Sequence, residues 1–181
     1  MNILLLGPRG AGKTSFANRL CRDSFDAQQP GTIGVEYFQT RLPDGRRLRI
    51  WDLSGDPRFL PITRTYMAQR HNLVCLVHPQ GEVDRAMELF GTYRVAGGTA
   101  PVMAVATAAG GTEAPEVSTG WPTLTVDTRV VPRAMLVAQL VPFLPPCRAP
   151  CRTPCRVPSS IPEEPPPHTG NLILGPCCHP L

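Results

Sequence analysis

Gly7, Gly12, Lys13 and Thr14 stand in the order G-x-x-x-x-G-K-[ST], inside the stretch LLLGPRGAGKTSFANRL. Glycines let a loop curl until successive backbone N–H groups face one anion. A helix starting there adds the partial positive charge of its N-terminus. In such a loop the lysine reaches the outer phosphates of a nucleotide, and the threonine hydroxyl meets Mg²⁺. Lys13 is the only lysine in the chain; every other basic side chain except histidine is arginine. Arginine's planar fork does not replace a compact, flexible ammonium at this position, which accounts for the lone lysine.

The elements around this loop have to hold it between a strand and a helix. Asn2–Leu6 is a short apolar run ending at a glycine, the pattern of a buried strand. Phe16, Ala17, Leu20 and Cys21 then recur at helical spacing. Val35–Leu42 and Arg47–Trp51 flank Pro43-Asp44-Gly45, and Asp-Gly tolerates the positive φ of a hairpin turn. Leu73–Val77 and Val102–Ala106 predict two more buried strands, and Leu124–Val126 a last one. Val83, Ala86, Phe90 and Tyr93 mark one face of a helix; Ala134, Val137, Val141 and Leu144 mark a closing one. Strands alternating with helices predict an α/β fold with a mostly parallel sheet.

The chain has 181 residues, 42% of them hydrophobic, and a net charge of only +4, which suits one domain and a tail. No long basic run points to nucleic acid. No segment reaches the roughly 18 apolar residues of a membrane span, since Pro132, Arg133 and Pro142 interrupt Val130–Leu144. The apolar start is too short for a signal peptide, so the chain reads as cytosolic. Of seven cysteines, Cys21 and Cys75 sit in apolar surroundings and read as reduced core residues. The other five lie in the tail. Near residue 145 the composition shifts to PPCRAPCRTPCRVP and SSIPEEPPPHTGN. Proline at that density predicts a disordered or polyproline-like linker over 145–176, spanning roughly 100 Å if extended at about 3.1 Å per residue.

Three further segments narrow the class. PGTIGVEYF places Thr32 nineteen residues after Lys13, WDLSGDPRF carries D-x-x-G at Asp52 and Gly55, and ITRTY follows with T-x-x-Y spacing. With the phosphate loop, these make the chain resemble the Ras-like small GTPases and specifically the Rab branch, densely from Asn2 to about Val77 and thinly beyond. The resemblance implies a P-loop G domain over 1–144, with a six-stranded, mostly parallel sheet, helices on both faces, one antiparallel edge hairpin and a shortened fourth helix. It implies that Gly7, Arg9, Gly10, Ala11, Gly12, Lys13, Thr14 and Ser15 cradle the phosphates of GTP or GDP. Thr14, Thr32 and Asp52 would hold Mg²⁺, the last through water. Thr32 would close over the terminal phosphate and the Gly55 N–H would sense it, an order–disorder switch. Phe25 stands where the family packs an aromatic against guanine; an ordinary loop anchor is the other reading. Tyr37, Trp51 and Tyr66, flanked by Ile33 and Phe59, match the surface that meets effectors. For Trp51 core packing is the alternative. An exchange factor, an activating protein and the prenylation machinery are the other implied partners, and the expected state is a monomer.

The departures are as informative. After Val102–Ala106 the family has N-K-x-D, and this chain has Thr107-Ala-Ala-Gly110. The family's aspartate accepts two hydrogen bonds from guanine. Charge-assisted bonds contribute roughly 1.5–3 kcal/mol each, so losing two costs roughly two to four orders of magnitude in affinity. The family's later S-A-K motif falls near Val126-Asp127-Thr128, also unmatched; Glu113, Glu116 and Asp127 are the nearby acids. The stretch 107–126 is short for the helix expected there. The switch glutamine that orients water is Asp56, which makes Asp56, Lys13 and Thr32 the candidate catalytic set. Arg9 occupies a position that is usually small. It either crowds the terminal phosphate or acts as a built-in arginine finger. Crowding is favoured, because the loop is expected to give Arg9 little freedom.

The chain ends GPCCHPL. Paired cysteines there resemble the Rab prenylation signal over 177–181, with geranylgeranyl expected on Cys177 and Cys178. Two lipid chains anchor stably where one does not. The Cys-Arg repeats at Cys147, Cys151 and Cys155 read as linker, with added charge attraction or palmitate as alternatives. The leading expectation is a Rab-like GTPase switch with slow hydrolysis, on the cytoplasmic face of endomembranes and with a cytosolic pool. The alternatives are a pseudo-GTPase that mimics the switch surface, and a P-loop enzyme using another nucleotide.

Overall fold

The computed structural model describes residues 1–80, 82–107 and 120–146, all within the unit Met1–Pro150. Six strands form one sheet: β1 (Asn2–Leu6), β2 (Val35–Arg41), β3 (Arg47–Leu53), β4 (Leu73–Pro79), β5 (Val102–Thr107) and β6 (Thr123–Val126). Their spatial order is β2-β3-β1-β4-β5-β6. Only the β2–β3 pair is antiparallel; the other four pairings are parallel. The helices among the described residues are α1 (Lys13–Arg22), α2 (Leu60–Met67), α3 (Val83–Val95) and α4 (Arg133–Leu140).

β1 shows why helices cover both faces. Successive side chains of a strand point to opposite faces. Ile3 and Leu5 join Phe16, Ala17 and Leu20 of α1 and Leu136 and Leu140 of α4. Leu4 and Leu6 join Met67 of α2 and Ala86 and Tyr93 of α3. All four β1 side chains are at most 2% exposed, so each contributes about 1.5–3 kcal/mol by transfer from water. A strand apolar on both faces is the pattern of a parallel sheet covered twice.

Parallel strands bring their carboxyl ends to one edge, where ligands of α/β sheets bind. The loop after β1, Asp52 and the segment following β3, and Thr107 at the end of β5 therefore gather there. β2 runs the other way, with Val35 opposite Leu53, so the loop before β2 reaches the same edge. The β2–β3 turn forms as the Asp-Gly signal predicts. Gly45 takes φ 83 and its N–H bonds the Leu42 carbonyl at 2.9 Å.

Several boundaries differ from the sequence expectation. α2 has no clear periodic signal: Pro61 follows its first residue and only Thr63 and Met67 are buried. His71 helps close its end, its Nε2–H donating to the Tyr66 carbonyl at 2.8 Å. In the closing segment Val137, Val141 and Leu144 pack on the core as expected, and Leu136 and Leu140 join them where Ala134 does not. Leu136, Val137 and Leu140 are buried while Ala134 is exposed, and Pro142 lies in a 3-10 turn over Val141–Phe143 that seats Leu144. Alanine adds so little apolar area that burial selects the leucines instead. Cys75 is fully buried, but Cys21 is only partly covered. Burial raises the two thiols to about 12 and about 11 respectively, so both stay protonated. The shortened helix expected between 107 and 126, the 145–176 linker beyond Pro146 and the terminal cysteines lie outside the described residues.

Arginines stitch the α1 side together. Arg19 donates to the carbonyls of Thr128 and Arg129 at 2.9 and 2.8 Å. Arg133 donates to the Leu20 and Arg41 carbonyls, each at 2.8 Å. Each guanidinium joins segments about a hundred residues apart in sequence, which suits its fork of several donors.

Candidate nucleotide and metal site

The loop between β1 and α1 is shaped by glycine at points where no side chain fits. A Cβ on Gly7 would lie 1.9 Å from the Val77 carbonyl oxygen of β4. Gly10 and Gly12 take φ 79 and 82, in the left-handed region that glycine enters without steric cost. Lys13 then opens α1, only 5% exposed. Its ammonium folds back onto the loop and donates to the Gly7 and Pro8 carbonyls, each at 2.8 Å. Burial lowers its pKa to about 8, and the nearby Asp52 charge partly opposes that shift.

Three oxygens from three segments meet beside it. Thr14 Oγ1 donates to Asp52 Oδ2 at 2.6 Å, and the Thr14 and Thr32 hydroxyls are 2.8 Å apart. Thr32 Oγ1 is 3.2 Å from the same carboxylate oxygen. Asp52 has no exposed surface, and burial raises its pKa to about 6 against the Thr14 bond, Lys13 and the Thr32 bond. Its second oxygen, Oδ1, is buried without a hydrogen-bond partner. An orphaned carboxylate oxygen next to two converging hydroxyls is a hard-oxygen donor set, with room for the remaining ligands to come from phosphate and water. That is the set Mg²⁺ takes in nucleotide sites. Thr14, Thr32 and Asp52 therefore fit the cation they were expected to hold.

The pocket over this cluster encloses about 510 Å³ and is lined by the phosphate loop, residues 25–33 and residues 54–59. Phe25, 37% exposed, forms part of its wall. Gly55 lies directly on the loop: a Cβ there would be 2.3 Å from Pro8 C and 2.4 Å from Arg9 N. Asp56 caps the 3-10 turn Pro57–Phe59, accepting from the Arg58 N–H. Its carboxylate also takes the Arg58 guanidinium at 2.7 Å and faces Arg9 at 3.8 Å. The Arg58 bonds hold its pKa down to about 2, so Asp56 is a poor proton acceptor. The Arg9 side chain is itself 74% exposed.

The three aromatics expected at an effector surface stand side by side. Tyr37 and Trp51 have ring centroids 4.9 Å apart, and Trp51 and Tyr66 5.4 Å. Trp51 is half-buried, so it both packs on the core and forms the middle of the row. Ile33 stands 80% exposed beside the pocket, and Phe59 is half-buried.

Two contacts had no clear reading in the sequence. Thr107 Oγ1 is 3.0 Å from the Ala11 carbonyl and 3.2 Å from that of His78, so its one proton ties β5 to the phosphate loop or to β4. The partners lie 96 and 29 residues away, and no local pattern announces them. The Asp56 cap also went unread, although an aspartate just before a proline at the first helical position is a start signal.

The family model Roc, "Ras of Complex, Roc, domain of DAPkinase", matches residues 2–109, more than half of the chain. Ras-related protein Rab-18 of Caenorhabditis briggsae is 37% identical over 79 residues, covering 42% of this chain and 39% of its own. Ras-related protein Rab-32C of Dictyostelium discoideum is 36% identical over 77 residues, 41% of this chain and 34% of its own. Ras-related protein Rab-9B of Mus musculus is 45% identical over 62 residues, 33% of this chain and 31% of its own. The chain thus spans about two-fifths or less of the length of these curated relatives. With the sheet order and the converging loops already in place, these matches assign the chain to the Roc family of Ras-type G domains, with divergent similarity to Rab proteins.

Proposed function

We propose that the protein is a nucleotide-dependent switch that binds GTP and GDP with Mg²⁺, hydrolyses GTP slowly and recruits effectors through the Ile33–Tyr37–Trp51–Phe59–Tyr66 surface. The observation that carries this is the meeting of Thr14, Thr32 and Asp52 beside Lys13, because it joins the phosphate loop to both switch segments. Lys13 would neutralise the outer phosphates, and the two hydroxyls with Asp52 would hold Mg²⁺, which when bound supplies charge neutralisation across the phosphates. Phe25 would pack beside the base. Titration with labelled GTP, GDP and ATP in Mg²⁺ tests the reading. Binding of guanine nucleotides in preference to ATP supports it; equal or stronger ATP binding would turn the assignment to another P-loop chemistry.

Slow hydrolysis follows from Asp56. Its carboxylate is engaged by Arg58 and faces Arg9, so it is not free to orient water. Asp56→Gln should raise single-turnover GTP hydrolysis by at least about tenfold, within the range a positioned group contributes. Equal rates for the two proteins would sink this account.

A second reading, a pseudo-GTPase that presents a Rab-like effector surface without tight nucleotide binding, is favoured by Thr107–Gly110 standing where N-K-x-D is expected. Failure of all three nucleotides to bind, with effector capture retained, would select it.

The domain plan is a G domain over 1–144, a linker over 145–176 and a lipid-bearing end at 177–181. No helix among the described residues is long and apolar enough to cross a membrane. Independently of that, the proposal places membrane attachment on geranylgeranyl groups at Cys177 and Cys178, because the paired cysteines resemble a prenylation signal and two chains give a stable anchor. Mass spectrometry of the C-terminal peptide from eukaryotic cells should find both. An unmodified peptide would remove the anchor from this proposal.

A further inference from the structure

The outer face of the β2–β3 ladder carries positive charge that the fold does not use. Side chains alternate across a strand. Phe38, Leu48 and Ile50 are at most 3% exposed and join the core on the α1 side. The residues between them look outward, and the register sets them in three rungs: Tyr37 opposite Trp51, Gln39 opposite Arg49, and Arg41 opposite Arg47. Tyr66 of α2 adds its ring to the first rung, 5.4 Å from Trp51. Gln39, Arg41, Arg47 and Arg49 are exposed.

Like charges directly opposite each other destabilise a sheet, and Arg41 and Arg47 stand so on the last rung. Among the described residues no ion pair relieves either of them or Arg49. Asp44 in the turn is taken by Arg46 at 2.6 Å. β1 and α2, which border the face, contain no Asp or Glu. Glu36 and Asp52, the acids of β2 and β3, stand at the alternate positions that face the other way. Tyr, Trp and Arg in one exposed row are the residue types that dominate protein interfaces.

We infer that this face seats an acidic stretch of a partner protein, with an apolar anchor on the Tyr37–Trp51 rung and carboxylates on Arg49, Arg47 and Arg41. This names the chemistry of the partner expected under the effector reading, and rests on that reading for the aromatic end alone. The rungs run over about 13 Å, so about four extended residues of the partner reach from the aromatics to the last rung. Guanidiniums take carboxylates through two parallel N–H bonds, which adds geometry to charge. Aromatics and arginines in fixed register match a segment of fixed side-chain spacing, which a fluid layer of lipid headgroups does not offer.

Amide chemical-shift mapping of the full chain tests this, with the end-capped peptide Leu-Leu-Glu-Glu-Glu-Glu as probe. At low salt the shifts should concentrate on residues 37–51, and they should fade at about 0.5 M salt. The same peptide with glutamine for glutamate should bind at least about tenfold more weakly. Arg47→Glu should weaken the acidic peptide at least about tenfold, since it removes one attraction and adds one repulsion, each worth about threefold to fivefold at an exposed pair. Its melting temperature should rise by about 1–4 °C, because a glutamate opposite Arg41 turns a like-charge rung into an opposite-charge one. A lower melting temperature would make the arginine row part of the fold and overturn the proposal. So would no shifts, shifts outside 37–51, equal binding of the glutamine peptide, or wild-type binding by Arg47→Glu. Vesicles of phosphatidylcholine with phosphatidylserine are the competing probe: capture that Arg47→Glu abolishes, with no response to the peptide, would give the face to lipid instead. Residues 37–51 line no part of the nucleotide pocket, so the mapping can be made on nucleotide-free protein. Failure to bind any nucleotide would end the switch reading and leave this test intact.

Discussion

Lys13→Ala should abolish measurable binding of GTP and GDP while leaving the melting temperature within a few degrees of wild type. The two halves of that expectation have different causes. Lys13 is only 5% exposed and burial lowers its pKa to about 8, so burial opposes its charge. What holds it is a pair of neutral carbonyls, Gly7 O and Pro8 O, at 2.8 Å. Lys13 lines the pocket, so water can enter and take over those carbonyls when the side chain is truncated. The free protein therefore loses two hydrogen bonds and also loses a buried cation, and the effects oppose each other. The bound state has no such compensation. Two charge-assisted bonds to phosphate at roughly 1.5–3 kcal/mol each correspond to about two to four decades of affinity. Lys13→Arg should not rescue binding, because the planar guanidinium cannot occupy the space of a compact ammonium between the loop carbonyls. Calorimetric titration with Mg²⁺ and thermal melting read the two halves separately. Retained affinity would remove Lys13 from the phosphate site. A collapsed melting temperature would make it a structural residue first.

The sequence-readable part of this molecule is the part governed by local chemistry. β1 matched its expected bounds because a short apolar run ending in a constrained glycine has few alternatives. The phosphate loop was legible because each residue type has one job at that spacing. The β2–β3 turn was legible from Asp44-Gly45 for the same reason. What escaped depends on distant partners or on competition among weak signals. α2 has only two buried residues and no apolar stripe, so its helix depends on packing rather than pattern. The inward face of α4 was decided by which side chains bury most area, and alanine lost to leucine there. Thr107 read as the absence of an asparagine, yet in the fold its hydroxyl lies within bonding distance of the Ala11 carbonyl across 96 residues. Asp56 read as a missing glutamine, yet in the fold its carboxylate is engaged by Arg58, only two residues along.

Restoring the base-reading pair is the complementary gain-of-function experiment. Ala108→Lys with Gly110→Asp should raise GTP affinity by roughly two to four orders of magnitude and leave ATP affinity nearly unchanged. The argument begins with what need not be altered. In the resemblance the motif starts with asparagine, and this chain has Thr107. Thr107 already sits at the end of β5, with its hydroxyl 3.0 Å from the Ala11 carbonyl, so strand and phosphate loop are within tethering distance as the chain stands. A Cβ on Gly12 would lie 3.2 Å from the Thr107 methyl, so the threonine also fills the space beneath the loop. Exchanging it for asparagine would risk that packing, and it stays. The missing element is a carboxylate to accept two hydrogen bonds from guanine, and Gly110 is the position three residues on. An aspartate there selects guanine over adenine because guanine offers its oxygens two N–H donors where adenine offers one acceptor nitrogen and a C–H, so the gain should appear for GTP and GDP together. Competition titrations of GTP against ATP, in wild type and the double variant, read the change as a ratio that is insensitive to the fraction of active protein. Equal gains for both nucleotides would mean the lysine acts as a general phosphate attractant. No gain for either would mean that the base does not lie against this segment, and would move the balance to the pseudo-GTPase reading.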